Sequence, residues 1–102
     1  MKKCCEEYLN EQFGGDADIV AEIYNEYASS VRGKIDEASQ ALSAGDWQLL
    51  DRVAHTVKGN ALAAGDKEMA DAAVELRKTA SLRDADGSAR LVAALSAAAE
   101  GL

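Results

Sequence analysis

The chain has a single histidine, His55, within the run Asp46 to Ala64, DWQLLDRVAHTVKGNALAA. An imidazole titrates near ~6.5 in water, so at neutral pH it is largely uncharged and nucleophilic without a strong base beside it. At about 100° per residue, Leu50, Val53, Ala54, Val57, Ala61 and Ala64 lie between roughly 160° and 260° from His55. The apolar side is thus opposite the histidine. Asp51, Lys58, Gly59 and Leu62 fall within about 60° of it, on the solvent side. Most surface histidines with a helical lysine nearby are inert. Gly59 argues otherwise, because a glycine in mid-helix costs about 1 kcal/mol relative to alanine and, pointing outward, returns nothing to a core. What it offers is a bare patch where a backbone or a phosphoryl group can come close, with apolar Leu62 adding a small docking surface.

The other candidate ligands, Cys4 and Cys5, are adjacent. A disulfide between neighbours needs unusual peptide geometry, so they are no fold staple, and two free thiols on a frayed segment are expected over residues 1–7. A zinc site needs about four convergent ligands, and the lone histidine stands fifty residues away. The expectation is no metal in this chain. Lys2 and Lys3 imitate the start of a secretion signal, but Glu6, Glu7 and Asn10 break the apolar stretch behind them, so a cytoplasmic location is expected.

The elements that must position His55 follow from the chain's punctuation. Glycine and aspartate meet at Gly14-Gly15-Asp16, Gly45-Asp46 and Gly65-Asp66. Each junction reads as one helix ending on a left-handed glycine and the next being capped by the aspartate. A fourth junction lies within residues 83–88, its cap being Asp84, Asp86 or Ser88. Apolar stripes run through Val20, Tyr24, Tyr27, Val31, Ile35, Ala38 and Leu42; through Met69, Ala73, Leu76 and Ala80; and through Leu91, Leu95, Ala98 and Leu102. Gly33 is a candidate bend in the long helix. Residues 6 to 13, with Tyr8, Leu9 and Phe13, form a short first helix. The expected fold is all-α: an antiparallel up-down four-helix bundle with a short additional N-terminal helix, as one domain over residues 1–102.

Composition agrees and excludes much. Alanine occurs 21 times against 11 for valine, isoleucine and threonine together, and there is no proline. A net charge of −7 disfavours nucleic acid and anionic lipid, and no apolar window spans a bilayer. No GxxxxGK[ST] cradle is present, so phosphoryl chemistry would need a donor other than bound ATP. Helices with one apolar face, already buried in a bundle, point to a monomer.

The run His55-Thr56-Val57-Lys58-Gly59-Asn60-Ala61-Leu62-Ala63-Ala64-Gly65 resembles the HxxKG-then-glycine signature of histidine-containing phosphotransfer (HPt) domains. The likeness extends from about Tyr8 to Ala99 and includes Phe13-Gly14-Gly15-Asp16 and Ala44-Gly45-Asp46-Trp47. The resemblance implies a phosphorelay intermediate of two-component signalling. His55 would accept a phosphoryl group from a receiver-domain phospho-aspartate and pass it to another receiver aspartate. Lys58 would offset phosphoryl charge, Gly59 and Gly65 would give steric clearance, and Asn60 and Leu62 would support the site. The chain would be a carrier without cofactor of its own, Mg²⁺ belonging to the receiver. Its partners would be receiver domains and a hybrid or sensor histidine kinase.

Members of the family it resembles often place a glutamine or similar polar residue on the next helix, twenty-two positions after the histidine, to hold the ring; here that position is Arg77. Arginine has donors only, so it cannot accept the Nδ1–H that would leave Nε2 free as the nucleophile. The expectation is that Asp51, one turn before His55, accepts that bond while Arg77 helps neutralise the phosphoryl group. The alternative to the whole reading is a non-phosphorylated helical adaptor that binds a receiver domain or another signalling partner.

Overall fold

Aspartates start four of the five helices. Asp16 accepts from the amides of Asp18 and Ile19, Asp46 from Leu49, Asp66 from Met69 and Asp84 from Gly87, satisfying donors that have no partner within the first turn. Gly45 and Gly65 close the preceding helices in the left-handed conformation, φ +68° and +73°. In the computed structural model, which describes residues 1–102, these signals delimit α1 (Lys3–Gln12), α2 (Ala17–Ala44), α3 (Trp47–Ala64), α4 (Lys67–Ser81) and α5 (Ala85–Glu100), with no strand. α2 runs unbroken through Gly33.

α2 packs on α3, α3 on α4, α4 on α5, and α5 returns to α2, a closed cycle about one core, with α1 laid against α2 and α3. The molecule measures 43 × 19 × 18 Å. On α3 all six residues expected to face inward are buried, and so is the whole expected stripe of α4. α2 buries Ala41 fully and its neighbour Leu42 only in part. No buried side-chain nitrogen or oxygen lacks a partner.

Two expectations require correction. α5 begins at Ala85 with Asp84 as its cap, and it buries Ser88, Val92, Leu95 and Ala99, while Leu91, Ala98 and Leu102 are only partly covered. The face is rotated because Ser88 is not a cap: it lies inside the helix, its hydroxyl donating to Thr79 Oγ1 at 2.8 Å. The first helix starts at Lys3, not residue 6, so most of the segment expected to fray is helical, with Cys5 and Leu9 buried.

What holds that segment is polar. Asp66, fully buried, accepts from Lys2 Nζ at 2.9 Å and from the Tyr27 hydroxyl at 2.7 Å. The Tyr24 hydroxyl accepts from the Lys2 amide at 2.9 Å and donates to the Leu102 carbonyl at 3.1 Å, joining the segment before α1 to the one after α5. Gly65 completes the arrangement: a side-chain carbon there would overlap the Tyr8 ring.

Candidate functional site

α3 turns His55 away from the core because Val53, Ala54 and Val57 occupy the buried side around it. The ring is exposed. Lys58, one turn later, is half-buried and makes no ion pair. Gly59 is exposed, and a carbon added there would meet nothing within 4 Å. A cation and a clear approach therefore stand beside an accessible imidazole. Leu62 is 54% exposed on the same side.

Arg77 of α4 reaches across to this face. Its Nε donates to Asp51 Oδ1 at 3.0 Å, and its Nη1 lies 3.1 Å from His55 Nδ1. The expectation for Asp51 is thereby corrected: its carboxylate bonds to Arg77, and the guanidinium, not the carboxylate, meets the ring. The pair is 37% and 43% exposed on its two sides, so it is screened and weakly stabilising. Behind it an open hollow of about 600 Å³ between α3 and α4 is lined by Asp51, Lys58, Arg77, Lys78 and Arg83. Four cations line this hollow in a chain of net charge −7; Arg77 is paired with Asp51 and Lys78 with Glu75, which leaves Lys58 and Arg83 without an ion pair there to meet an anion.

Two residues singled out in the sequence are not brought to the imidazole. Asn60 donates from Nδ2 to Ser30 Oγ on α2 at 3.2 Å, tying α3 to its neighbour. Gly65 lies ten residues, about 15 Å of helix, from His55, and its missing side chain makes room for Tyr8.

The cysteines gather elsewhere. Their sulfurs and an Asp66 oxygen lie within 4.8 Å of one another, a convergence the sequence did not suggest. Both Asp66 oxygens already accept hydrogen bonds, from Lys2 and Met69 and from Tyr27. Burial, followed by the nearby charge of Asp66, pushes the Cys5 thiol from its ordinary 9.0 up to about 12. This thiol is packing, not a reactive group. Burial also raises Tyr27, reinforced by its hydrogen bond to Asp66. Lys2 is lowered by burial but raised more by its bond to Asp66 and that group's charge, and the net direction is upward.

The family model of the Hpt domain matches residues 22–102, which include α3 with His55 and α4 with Arg77. The chain belongs to the Hpt domain family. No curated protein and no solved structure matches it. Hpt domains are helical bundles that act as phosphocarriers in two-component signalling, not as ATP-using enzymes, and they interact with receiver domains and histidine kinases. No helix of this Hpt domain is long and apolar enough to cross a membrane.

Proposed function

We propose that this Hpt domain is a monomeric cytoplasmic phosphorelay intermediate in which His55 takes a phosphoryl group from a receiver-domain phospho-aspartate and hands it to another. The observation that carries the reading is the exposed His55 ring on the face of α3 opposite the core, with open space over Gly59 and Lys58 free of any ion pair. The single domain over residues 1–102, an antiparallel up-down bundle of α2 to α5 with α1 added, serves as a rigid post for that ring.

The roles follow from placement. Lys58 offsets charge on the phosphoryl group, and Gly59 admits it together with the partner's surface. Leu62 supplies apolar contact to the receiver. Arg77, Lys78 and Arg83 raise the local positive potential. The receiver brings the aspartate and Mg²⁺, so in-line positioning of donor and acceptor is the main contribution of docking.

Incubation with a phosphorylated receiver domain and Mg²⁺ tests this. The wild type acquires acid-labile, base-stable label, and His55→Gln acquires none while melting at the same temperature. A wild type that binds receivers yet takes no label from any of those in its own organism overturns the reading in favour of an adaptor.

A further inference from the structure

Arg77 does more to His55 than add charge. A guanidinium carries donors only, so in the 3.1 Å contact between Nη1 and Nδ1 the ring nitrogen must be the acceptor. A neutral imidazole has one proton. With the lone pair of Nδ1 engaged by Arg77, that proton sits on Nε2, and Nε2 then has no in-plane lone pair for attack. The contact holds the ring in the form whose free nitrogen is not nucleophilic.

We propose that Arg77 is a positioning residue that keeps the unmodified His55 ring in its Nε2–H tautomer, so that phosphoryl uptake at Nε2 requires the guanidinium to leave Nδ1. The inference rests on the phosphocarrier reading for its second half only.

The surroundings allow this movement. Arg77 holds the ring by one bond and Asp51 by another, through a different nitrogen. Its side chain is 37% exposed and borders the open hollow that contains Lys58 and Lys78. An incoming phosphoryl group is a stronger partner for a guanidinium than a neutral ring nitrogen is. Arg77 swings to it while Nε stays on Asp51, and water carries the proton from Nε2 to Nδ1. The Nε2 lone pair then attacks phosphorus, the N–P bond forming as the P–O bond to the aspartyl carboxyl breaks and the carboxylate leaves with its electron pair. The Nδ1 proton passes to water. The lone pair that this frees on Nδ1 is again what a guanidinium N–H fits, so the residue that must leave the ring before uptake also matches the loaded, neutral ring.

Glutamine at this position presents either a carbonyl or an amide N–H and fits both tautomers; arginine fits one. Two-bond ¹⁵N–¹H correlation spectra of the unphosphorylated protein, above the titration of the ring, read the tautomer directly. The ratio of Nε2–H to Nδ1–H is expected to fall from wild type to Arg77→Met to Arg77→Gln, by about fivefold in all, the bias one exposed charge-assisted bond supplies. Single-turnover uptake from a saturating phosphorylated receiver is expected to be faster in Arg77→Gln than in Arg77→Met, two variants that lack the cation equally and differ in the tautomer they favour. Equal ratios in wild type and Arg77→Met overturn the proposal, and so, where the proteins take label, does a shifted tautomer in Arg77→Gln with uptake no faster than in Arg77→Met. If none of the three proteins takes label while the tautomers follow the stated order, the phosphocarrier reading and the uptake half of this proposal fall together, and tautomer control stands. Because Arg77 is a half-exposed surface residue, both variants fold, which melting curves check.

Discussion

Asp51 and Asp66 belong to two polar groupings with the same parts and opposite settings. Each carboxylate takes a cation from another segment, Arg77 for Asp51 and Lys2 for Asp66, and each grouping ends on an aromatic ring, His55 in one and Tyr27 in the other. Asp66 and Tyr27 are buried, and every oxygen of Asp66 is occupied. Asp51 and Arg77 are two-fifths exposed, and the ring is open to solvent. In the buried setting, breaking one bond strands a polar group without water, so the geometry is fixed. In the exposed setting water replaces any lost partner, and the groups are free to exchange partners, as the proposed phosphoryl transfer requires. Solvent, more than residue type, separates the structural cluster from the one proposed to carry the chemistry.

The most damaging way to test that contrast is Asp66→Ala. It removes the α4 cap and strands the buried Tyr27 hydroxyl, so stability should fall by about 3 kcal/mol and the melting midpoint by more than about 10 °C. A loss below about 1 kcal/mol would show that the buried cluster is no tighter than the exposed one.

Alkaline titration probes the same cluster without mutation. Cys5, Tyr27 and Lys2 all hold their protons more firmly when folded, so above about pH 9 the folded chain binds more protons than the unfolded one. Stability is complete below that range and declines as pH rises through it. The urea midpoint should drop from about pH 9 upward, with the Cys5 part of the loss running to about pH 12, and Cys5→Ala should remove the earliest part of the decline; a flat profile contradicts the assignment.

On the exposed side, Gly59→Ala should raise stability by up to about 1 kcal/mol, since the new carbon meets nothing, while slowing phosphoryl uptake through lost clearance. A variant both more stable and equally fast would remove the reason offered for that glycine. The smallest effect belongs to Asp51→Asn: about 0.5 kcal/mol or less in stability, as for other exposed ion pairs. Thermal melts at low and high salt measure it, and a loss above about 1.5 kcal/mol would place Asp51 with the buried class.

The sequence made the frame of the molecule readable wherever one physical rule acted alone. Aspartate after glycine marked Asp16, Asp46 and Asp66 as caps, and the three-four spacing on α3 and α4 matched the buried residues. It was less informative on α5, where alanine is so frequent that several faces look equally apolar and the buried Ser88 disguised the true one. At the site, the exposure of His55 and the clearance at Gly59 were legible because both depend on position around one helix. The partner of Asp51 was not, since it depends on how α4 sits against α3. Asp66 was read only as a cap. Its second role requires Lys2 and Tyr27, residues 64 and 39 positions away. The one local hint was the glycine before it, whose bareness serves Tyr8.

The Tyr24 hydroxyl, which bonds the amide of Lys2 and the carbonyl of Leu102, leaves the two residues that flank the helical bundle two hydrogen bonds apart. A covalent loop of a few residues could close them into a ring, and the backbone could then be reopened at an exposed bend such as Gly45 with the helices kept in place. By the same token, splicing this unit into a surface loop of a host protein would scarcely stretch the host, because both splice points would emerge at one spot.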